Sequence, residues 1–133
     1  MEPSIFTKIV KGEIPAYKIA EDDRYLAFLD VFPTTKGHTL VIPKQQIDYL
    51  FDLDDELYLG LMAFAKKVAA AVEKAVPCKR IGVAVVGLEV PHAHVHLIPI
   101  NKMADMNFAI KQQFSKEDFE KTAEKIRKEY EAA

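Results

Sequence analysis

The sequence predicts an α+β fold, in which a five-stranded antiparallel sheet packs against one long helix and a C-terminal helix. Five segments combine β-branched and aromatic residues with flanking glycine, proline or acidic residues, as strands do. One segment instead repeats apolar residues every three or four positions, which is the spacing of a helix. Because short turns join the strands on either side of that helix, antiparallel pairing with the helices on one face is favoured. The length of 133 residues fits a single domain spanning 1–133.

The N-terminal half should contain a short helix and three strands. Ser4 is a suitable N-cap for a helix over residues 4–11, and Gly12 provides a stop. The three predicted strands cover residues 16–20, 24–30 and 38–43. An acidic turn joins the first two as a hairpin, and Pro43 ends the third.

The long helix is the clearest element of the sequence. It begins after Asp52 or Asp54, whose carboxylates suit a helix N-terminus, and Pro77 ends it. Its apolar stripe consists of Leu57, Leu61, Phe64, Val68, Val72 and Ala75. The two strands that follow cover residues 80–87 and 92–100. The first of these is predicted to be buried because of its β-branched content, and a C-terminal helix capped by Ser115 is expected to pack loosely.

Composition and charge exclude several classes of function. A net charge of −2 provides no global field that would attract nucleic acid or an anionic membrane surface. Cys78 is the only cysteine, so an intramolecular disulfide framework is excluded and a reducing compartment is favoured. The first residues carry charge too early for a secretory signal, and no apolar run is long enough to cross a bilayer. We therefore expect a cytoplasmic protein that binds neither nucleic acid nor membrane.

Three of the four histidines stand at alternate positions of the stretch PHAHVHLIPI, residues 91–100. Successive side chains of a strand point to opposite sides, so His92, His94 and His96 are predicted to share one face. The apolar residues between them would then pack under the long helix, while the imidazoles line an open surface. This alternation is the main indication of function.

Four interpretations of the three histidines compete. A solvated strand face and a pH-sensing surface make no use of the spacing. A metal site is limited by geometry, since the outer β-carbons lie roughly 13 Å apart on a straight strand, although Glu89 or His38 could add a ligand. Catalysis uses the spacing directly. A neutral imidazole is a good nucleophile toward phosphorus, and neighbours one strand repeat away can donate hydrogen bonds or set its orientation and tautomer.

The stretch HAHVHLI resembles the signature of the histidine triad (HIT) superfamily of nucleotide hydrolases and transferases, in which histidines alternate with apolar residues. The similarity extends to the N-terminal segment SIFTKIVKGEIPAYKIAEDDRYLAFLDVFPTTKGHTLVIPK. Together with the helix between them, the two regions cover residues 4–100. The resemblance implies a HIT-like fold, whose sheet extends across a homodimer through the long helix and the adjoining strand.

The resemblance also implies a reaction. A purine nucleotide joined through its α-phosphate to an amine or another leaving group would be cleaved, as nucleoside phosphoramidases do. His94 would be the nucleophile and form a covalent nucleotidyl-histidine, which water hydrolyses. His96 would lie by the phosphate and the scissile bond. His92 would support the orientation of the triad, and His38 would extend its hydrogen-bond relay. The implied chemistry requires neither a cofactor nor a metal ion.

Further positions match the nucleoside pocket of the family. The apolar slot for the base corresponds to Phe6, Ile9, Ile14, Phe28 and Val31. Asp30 matches the carboxylate that binds the ribose hydroxyls, a pair of acceptors suited to two vicinal donors. Glu89 stands where relatives carry a residue that contacts the phosphate or the leaving group. It would select a cationic or amine leaving group, act on the leaving group as an acid, or else point away from the substrate and leave a slower enzyme.

Two departures from the family pattern narrow these implications. Ser4 and Thr7 replace two cysteines that help many members to bind a structural zinc, so that zinc is not expected here. Leu88 and Glu89 replace the usual amide and small residue before the triad, so the resemblance does not define the substrate. A dinucleoside polyphosphate hydrolase, a nucleotidyltransferase, a non-catalytic nucleotide-binding protein and a metal-dependent enzyme stay open as alternatives.

Overall fold

The computed structural model describes residues 2–133, and a five-stranded antiparallel sheet forms its centre. The strands are β1 (Lys18–Glu21), β2 (Tyr25–Leu29), β3 (Thr39–Pro43), β4 (Arg80–Ala84) and β5 (Val95–Ile100). Their order in the sheet is β1-β2-β3-β5-β4, and every neighbouring pair is antiparallel. The predicted α+β class and the five-stranded antiparallel sheet are therefore confirmed.

Three helices accompany the sheet: α1 (Ile5–Val10), α2 (Asp55–Ala75) and α3 (Lys116–Ala132). Each begins at a polar N-cap whose side chain accepts a backbone N–H of the first turn, namely Ser4, Asp54 and Ser115. Ile126 of α3 is fully buried in the core, so this helix packs more tightly than the sequence predicts. None of the helices within residues 2–133 is long and apolar enough to span a membrane.

The two faces of the sheet carry different layers. α2 and α3 cover one face, where Ala27, Val41 and Val95 point into the core. α1 lies on the opposite face, which it covers with Phe6 and Ile9. These two side chains pack on Leu26, Phe28, Leu40 and Ile42. The expectation that all helices share one face is therefore wrong for α1. Successive residues of β2 and β3 point to opposite faces and are apolar on each, so both faces of the sheet need a cover.

β4 is an edge strand, because only β5 pairs with it among the described residues. The prediction of a buried strand over 80–87 is wrong in this chain: the strand ends at Ala84, and Val83 is 54% exposed. Val85 and Val86, which follow the strand, are exposed as well. β-Branched residues mark a strand but do not reveal its place in the sheet.

β5 starts at Val95 rather than at His92, so the first part of the predicted strand is an irregular segment. The cause lies in the neighbouring strand. Pro43 at the end of β3 has no N–H to donate, and the N–H of Ala93 donates instead to the carbonyl of Ile47, beyond β3, at 2.7 Å. Only the last of the three histidines therefore lies within the strand.

Within β5 the predicted alternation holds. Val95 and Leu97 point into the core under α2, whereas His96 points to the α1 face. Ala93, just before the strand, also joins the core on the α2 side. The functional face indicated by the sequence is therefore the one that α1 covers.

Candidate active site

A cavity of about 610 Å³ opens on the α1 face of the sheet. Its walls come from α1, β2, β3, the segment 86–90 and the start of β5, with Phe108 and Lys111 adding a further piece. Most of the lining side chains are apolar. Pockets for small molecules usually measure about 300–1,000 Å³ and combine apolar walls with a few polar groups. This cavity is therefore the candidate active site.

The cavity brings together most of the residues that the sequence singles out. Those in its walls are Phe6, Ile9, Ile14, Phe28, Asp30, Val31, Glu89, His94 and His96. His92 and His38 are buried behind the wall. The triad is therefore not a row of three rings in one cleft. Two rings face the cavity, and the first ring supports them from beneath.

His94 has a defined tautomer. Its Nδ1 lies 2.7 Å from the backbone carbonyl oxygen of His92, which can only accept a hydrogen bond. Nδ1 therefore carries the proton, and the neutral ring has its lone pair on Nε2. Phe6 packs against this ring in a T-shaped arrangement, with 5.0 Å between the centroids. The hydrogen bond and the ring contact together hold His94 in place.

His38 and His96 form a directed hydrogen-bond relay. The backbone N–H of Thr34 donates to Nδ1 of His38 at 3.0 Å, so the neutral His38 ring carries its proton on Nε2. This Nε2 lies 2.9 Å from Nδ1 of His96 and donates to it. His96 consequently keeps its own proton on Nε2. The ring centroids of His96 and His94 are 4.9 Å apart, so an N–H donor and a lone pair stand side by side at the wall.

Burial keeps the supporting rings uncharged. It lowers the pKa of His38 to about 3 and the pKa of His96 to about 3, with smaller contributions from neighbouring groups that include Lys111 in both cases. Burial also lowers the pKa of His92, although its hydrogen bond to Pro43 opposes the shift. At neutral pH these three imidazoles are neutral, which is the state in which the relay has the direction described.

A buried polar cluster holds His92 beneath the cavity. Its Nε2 donates to the carbonyl of Pro43 at 2.7 Å, and its Nδ1 accepts from the hydroxyl of Ser4 at 2.8 Å. Oε1 of Gln46 accepts both the backbone N–H of Ser4 and the hydroxyl of Thr7, each at 2.7 Å. Both nitrogens of His92 are thus engaged. The cluster thereby fixes the carbonyl that orients the next histidine of the triad.

The same cluster contains Ser4 and Thr7, which stand where many HIT members have the cysteines of a structural zinc site. Ser4 and Thr7 place hydroxyls, and Gln46 an amide oxygen, next to one imidazole nitrogen. Structural zinc is held by thiolates and imidazoles. A neutral donor set dominated by oxygen does not fit that ion, and hydrogen bonds link these groups instead.

A second group of potential metal ligands lies beside the relay. Ligand atoms of Asp30, His38 and His96 lie within 4.8 Å of one another. However, His38 and His96 share a hydrogen bond, whose proton an ion would have to displace. The three triad histidines do not converge on a common point, because both ring nitrogens of His92 are bonded elsewhere. An ion clasped by the whole triad does not fit this geometry.

Asp30 lies between the relay and the apolar slot. Its Oδ1 accepts the N–H of Phe32 at 2.8 Å, and its Oδ2 lies 3.6 Å from Nε2 of His38. The backbone N–H of Asp30 donates to the carbonyl of His38 at 2.9 Å. The carboxylate is therefore held in one orientation and keeps acceptor capacity on both oxygens, which suits a pair of hydroxyl donors.

Phe108 and Lys111 are among the wall residues that have no role predicted from the sequence. The ring of Phe108 packs in a T-shape against His96, with 4.8 Å between the centroids, and Nζ of Lys111 lies 5.4 Å from the centroid of Phe108. Both belong to an irregular segment without helical or strand periodicity, so no pattern indicates them. Thr34 and Gln46 are missed for a related reason, because only the folded chain shows what they bond.

Comparison with known proteins adds independent information. Residues 11–103 match the family model of the HIT domain. An adenosine 5′-monophosphoramidase of Schizosaccharomyces pombe is 43% identical over 97 residues, which cover 71% of this chain and 72% of that protein. An adenosine 5′-monophosphoramidase of Saccharomyces cerevisiae is 41% identical over 96 residues, which cover 71% of this chain and 61% of that protein. The crystal structure of a Hit-like protein from Bartonella henselae superposes with a TM-score of 0.83 at 34% identity and covers 95% of both chains.

Proposed function

The chain belongs to the HIT family, and from this premise we propose that it is a nucleotide hydrolase that cleaves a purine nucleoside 5′-phosphate from an amine or another leaving group. Two relatives at 43% and 41% identity are named adenosine 5′-monophosphoramidase. The observation that carries the proposal is the pair of tautomers at the cavity wall. A lone pair on Nε2 of His94 stands beside an N–H donor on His96.

The proposed position of the nucleotide follows from the chemistry of the walls. The base packs in the apolar slot formed by Phe6, Ile9, Ile14, Phe28 and Val31. Asp30 accepts hydrogen bonds from the ribose hydroxyls. The α-phosphate then lies at His94 and His96. Glu89 borders the same cavity, where its carboxylate favours an amine or cationic leaving group.

The proposed reaction has two steps. Nε2 of His94 attacks the α-phosphorus and forms an N–P bond, while the bond between phosphorus and the leaving nitrogen breaks and the departing amine takes up a proton from solvent. The N–H of His96 donates to the phosphate oxygen on which negative charge develops. Water then attacks phosphorus, the bond between phosphorus and Nε2 of His94 breaks, and Nε2 regains its lone pair. The hydroxyl stays on phosphorus and the second proton of the water passes to solvent. The net reaction consumes one water molecule and requires no metal ion.

The backbone stabilises the proposed intermediate. Once its Nε2 is bonded to phosphorus, the His94 ring is cationic, because Nδ1 keeps its proton. The carbonyl of His92, 2.7 Å away, accepts that proton in a hydrogen bond. Such a bond strengthens when its donor becomes charged, so the interaction favours the intermediate over the free enzyme.

Replacement of the nucleophile tests the proposal. His94→Ala is expected to lower kcat for adenosine 5′-phosphoramidate by at least about 10⁴-fold, while AMP still binds because the slot and Asp30 are intact. Release of AMP measures turnover. Mass spectrometry of the wild-type protein during turnover should find one adenylyl group on His94.

Cys78→Ala, outside the cavity, provides a matched control and should keep full activity with or without a chelator. Full activity of His94→Ala would overturn the proposal. Binding of AMP without turnover in the wild type would favour a non-catalytic nucleotide-binding protein. Faster turnover of a diadenosine polyphosphate than of the phosphoramidate would favour the alternative of a dinucleoside polyphosphate hydrolase.

We also propose that two copies of the chain pair as a homodimer through β4 and the neighbouring surface of α2. β4 presents an open edge on which Val83 is exposed, and Leu59 of α2 is exposed as well. An edge strand of this kind is a template for pairing with another strand. Pairing of two β4 strands about a two-fold axis would continue the sheet from one subunit into the other.

A further inference from the structure

We propose that Lys111, steadied by Phe108, binds the phosphate that His94 attacks. This inference rests on the proposed function and deepens it, because it names the cationic group of the site. It also assigns a role to the irregular segment between β5 and α3.

The cavity needs a positive charge to hold a phosphate. Among the described residues of its wall, those with a formal charge at pH 7 are Asp30, Glu89 and Lys111. His96 is neutral, since burial holds its pKa near 3. A nucleoside phosphoramidate carries negative charge on its phosphate, and the two carboxylates repel it. Lys111 therefore provides the charge that offsets this repulsion.

Phe108 places Lys111 at the reacting end of the cavity. The centroid of its ring lies 4.8 Å from that of His96 and 6.2 Å from that of His38. Nζ of Lys111 lies 5.4 Å from the same Phe108 centroid, within the range of a cation–π contact. The charge of Lys111 also contributes to the lowered pKa of His38 and of His96, as expected for a cation close to both rings.

The backbone next to Lys111 is bonded to the loop between β2 and β3. The N–H of Gln112 donates to the carbonyl of Pro33 at 2.8 Å, in the loop that also contains Thr34 of the relay. The N–H of Ile110 donates to the carbonyl of Asn107 at 3.1 Å. Within residues 2–133 the side chain of Lys111 makes no ion pair. A cation on an anchored backbone, facing the cavity and without a counterion, is available to a phosphate.

Binding of adenosine and AMP to the full chain separates the contribution of the phosphate from that of the nucleoside. In Lys111→Met, the affinity for AMP should fall about tenfold or more, the range expected when a charged hydrogen bond is lost. The affinity for adenosine, which lacks the phosphate, should equal that of the wild type. Calorimetric titration measures both. Lys111→Arg keeps the charge and should retain most of the affinity for AMP.

Turnover provides a second readout. In Lys111→Met, kcat/KM for adenosine 5′-phosphoramidate should fall by about 10²-fold, as when one group that stabilises developing charge is removed, and Lys111→Arg should restore most of it. Lys116→Met is the matched control, because it removes a highly exposed lysine at the start of α3 that does not line the cavity. This variant should behave as the wild type in every assay.

The outcomes distinguish this inference from the proposed function. If Lys111→Met binds adenosine and AMP as the wild type does, or loses affinity for both equally, the role of Lys111 is overturned while the nucleotide proposal stands. An equal loss of affinity for adenosine and for AMP would indicate that Lys111 has a merely structural role. If the wild-type protein binds neither ligand, the proposed function fails and this inference fails with it.

Discussion

Two backbone groups decide which nitrogens of the active-site imidazoles carry protons. The carbonyl of His92 sets the tautomer of His94, and the N–H of Thr34 sets that of His38. Unlike a hydroxyl or a water molecule, a peptide group cannot exchange the roles of donor and acceptor. The lone pair of His94 and the N–H of His96 are therefore in place before substrate arrives, which would limit reorganisation during the proposed reaction.

Ser4 is expected to support both stability and turnover. Its side chain caps α1, and its hydroxyl donates to Nδ1 of His92. Ser4→Ala removes both interactions and should lower the free energy of unfolding in urea by about 1–3 kcal/mol. Because the carbonyl of His92 holds His94, the proposed nucleophile, a small displacement should reduce kcat by up to about 10²-fold. KM should stay close to that of the wild type.

Two variants separate the cap of α1 from the positioning of the triad. Ser4→Thr keeps a hydroxyl and should retain most of kcat. Ser115→Ala removes the corresponding cap of α3, outside the cavity, and should lower the free energy of unfolding by about 1 kcal/mol with unchanged kcat. If Ser4→Ala loses stability but keeps kcat, its hydroxyl acts on the helix alone.

The spacing of the histidines predicts only part of this arrangement. His94 and His96 face the cavity, as their alternation indicates. His92 does not, because Ser4 and Pro43 hold its ring beneath the wall from 88 and 49 positions away in the sequence. Contacts over such separations leave no local pattern, and the same is true of Lys111.

Helices could be predicted more accurately than the ends of strands. The stripe of α2 and its cap at Asp54 are local features, and the structure contains both. The start of β5 depends on Pro43 of another strand, which cannot donate to it. The exposure of Val83 likewise depends on the order of strands in the sheet, which no segment encodes by itself.

Gly60 marks a close approach of α2 to the sheet. A Cβ at this position would overlap the hydroxyl of Tyr25 and lie 2.9 Å from its Cζ. Tyr25 is buried and donates to the carbonyl of Leu57 at 3.1 Å, so its ring has little freedom to move. We expect Gly60→Ala to lower the free energy of unfolding by about 1–3 kcal/mol. Helix propensity alone would predict the opposite, an increase of about 1 kcal/mol in the free energy of unfolding.

Chemical denaturation of two further variants identifies the cause. Ala63→Gly changes an exposed position of the same helix and should lower the free energy of unfolding by about 1 kcal/mol through helix propensity alone. Combining Tyr25→Phe with Gly60→Ala removes the overlapping oxygen and should restore part of the lost stability. A more stable Gly60→Ala would show instead that α2 can move away from β2.

The proposed homodimer depends on the open edge of β4. If two copies pair through this strand, Val83→Lys places a charge on each side of the interface and should convert the dimer into a monomer at micromolar concentration. Sedimentation velocity distinguishes the two states. Val83→Thr keeps the β-branched shape without a charge and should remain dimeric. A monomeric wild-type protein would contradict the proposed pairing.

The walls of the cavity come from both ends of the chain, since Phe6 of α1 faces a chamber that Lys111 completes. On a ribosome these residues emerge far apart in time. At about 5–20 residues per second, the interval is roughly 5–20 s. During that interval the apolar side chains of the first three strands lack part of their final cover and are accessible to solvent and to chaperones. Catalytic competence is thus among the last properties that translation confers on this molecule.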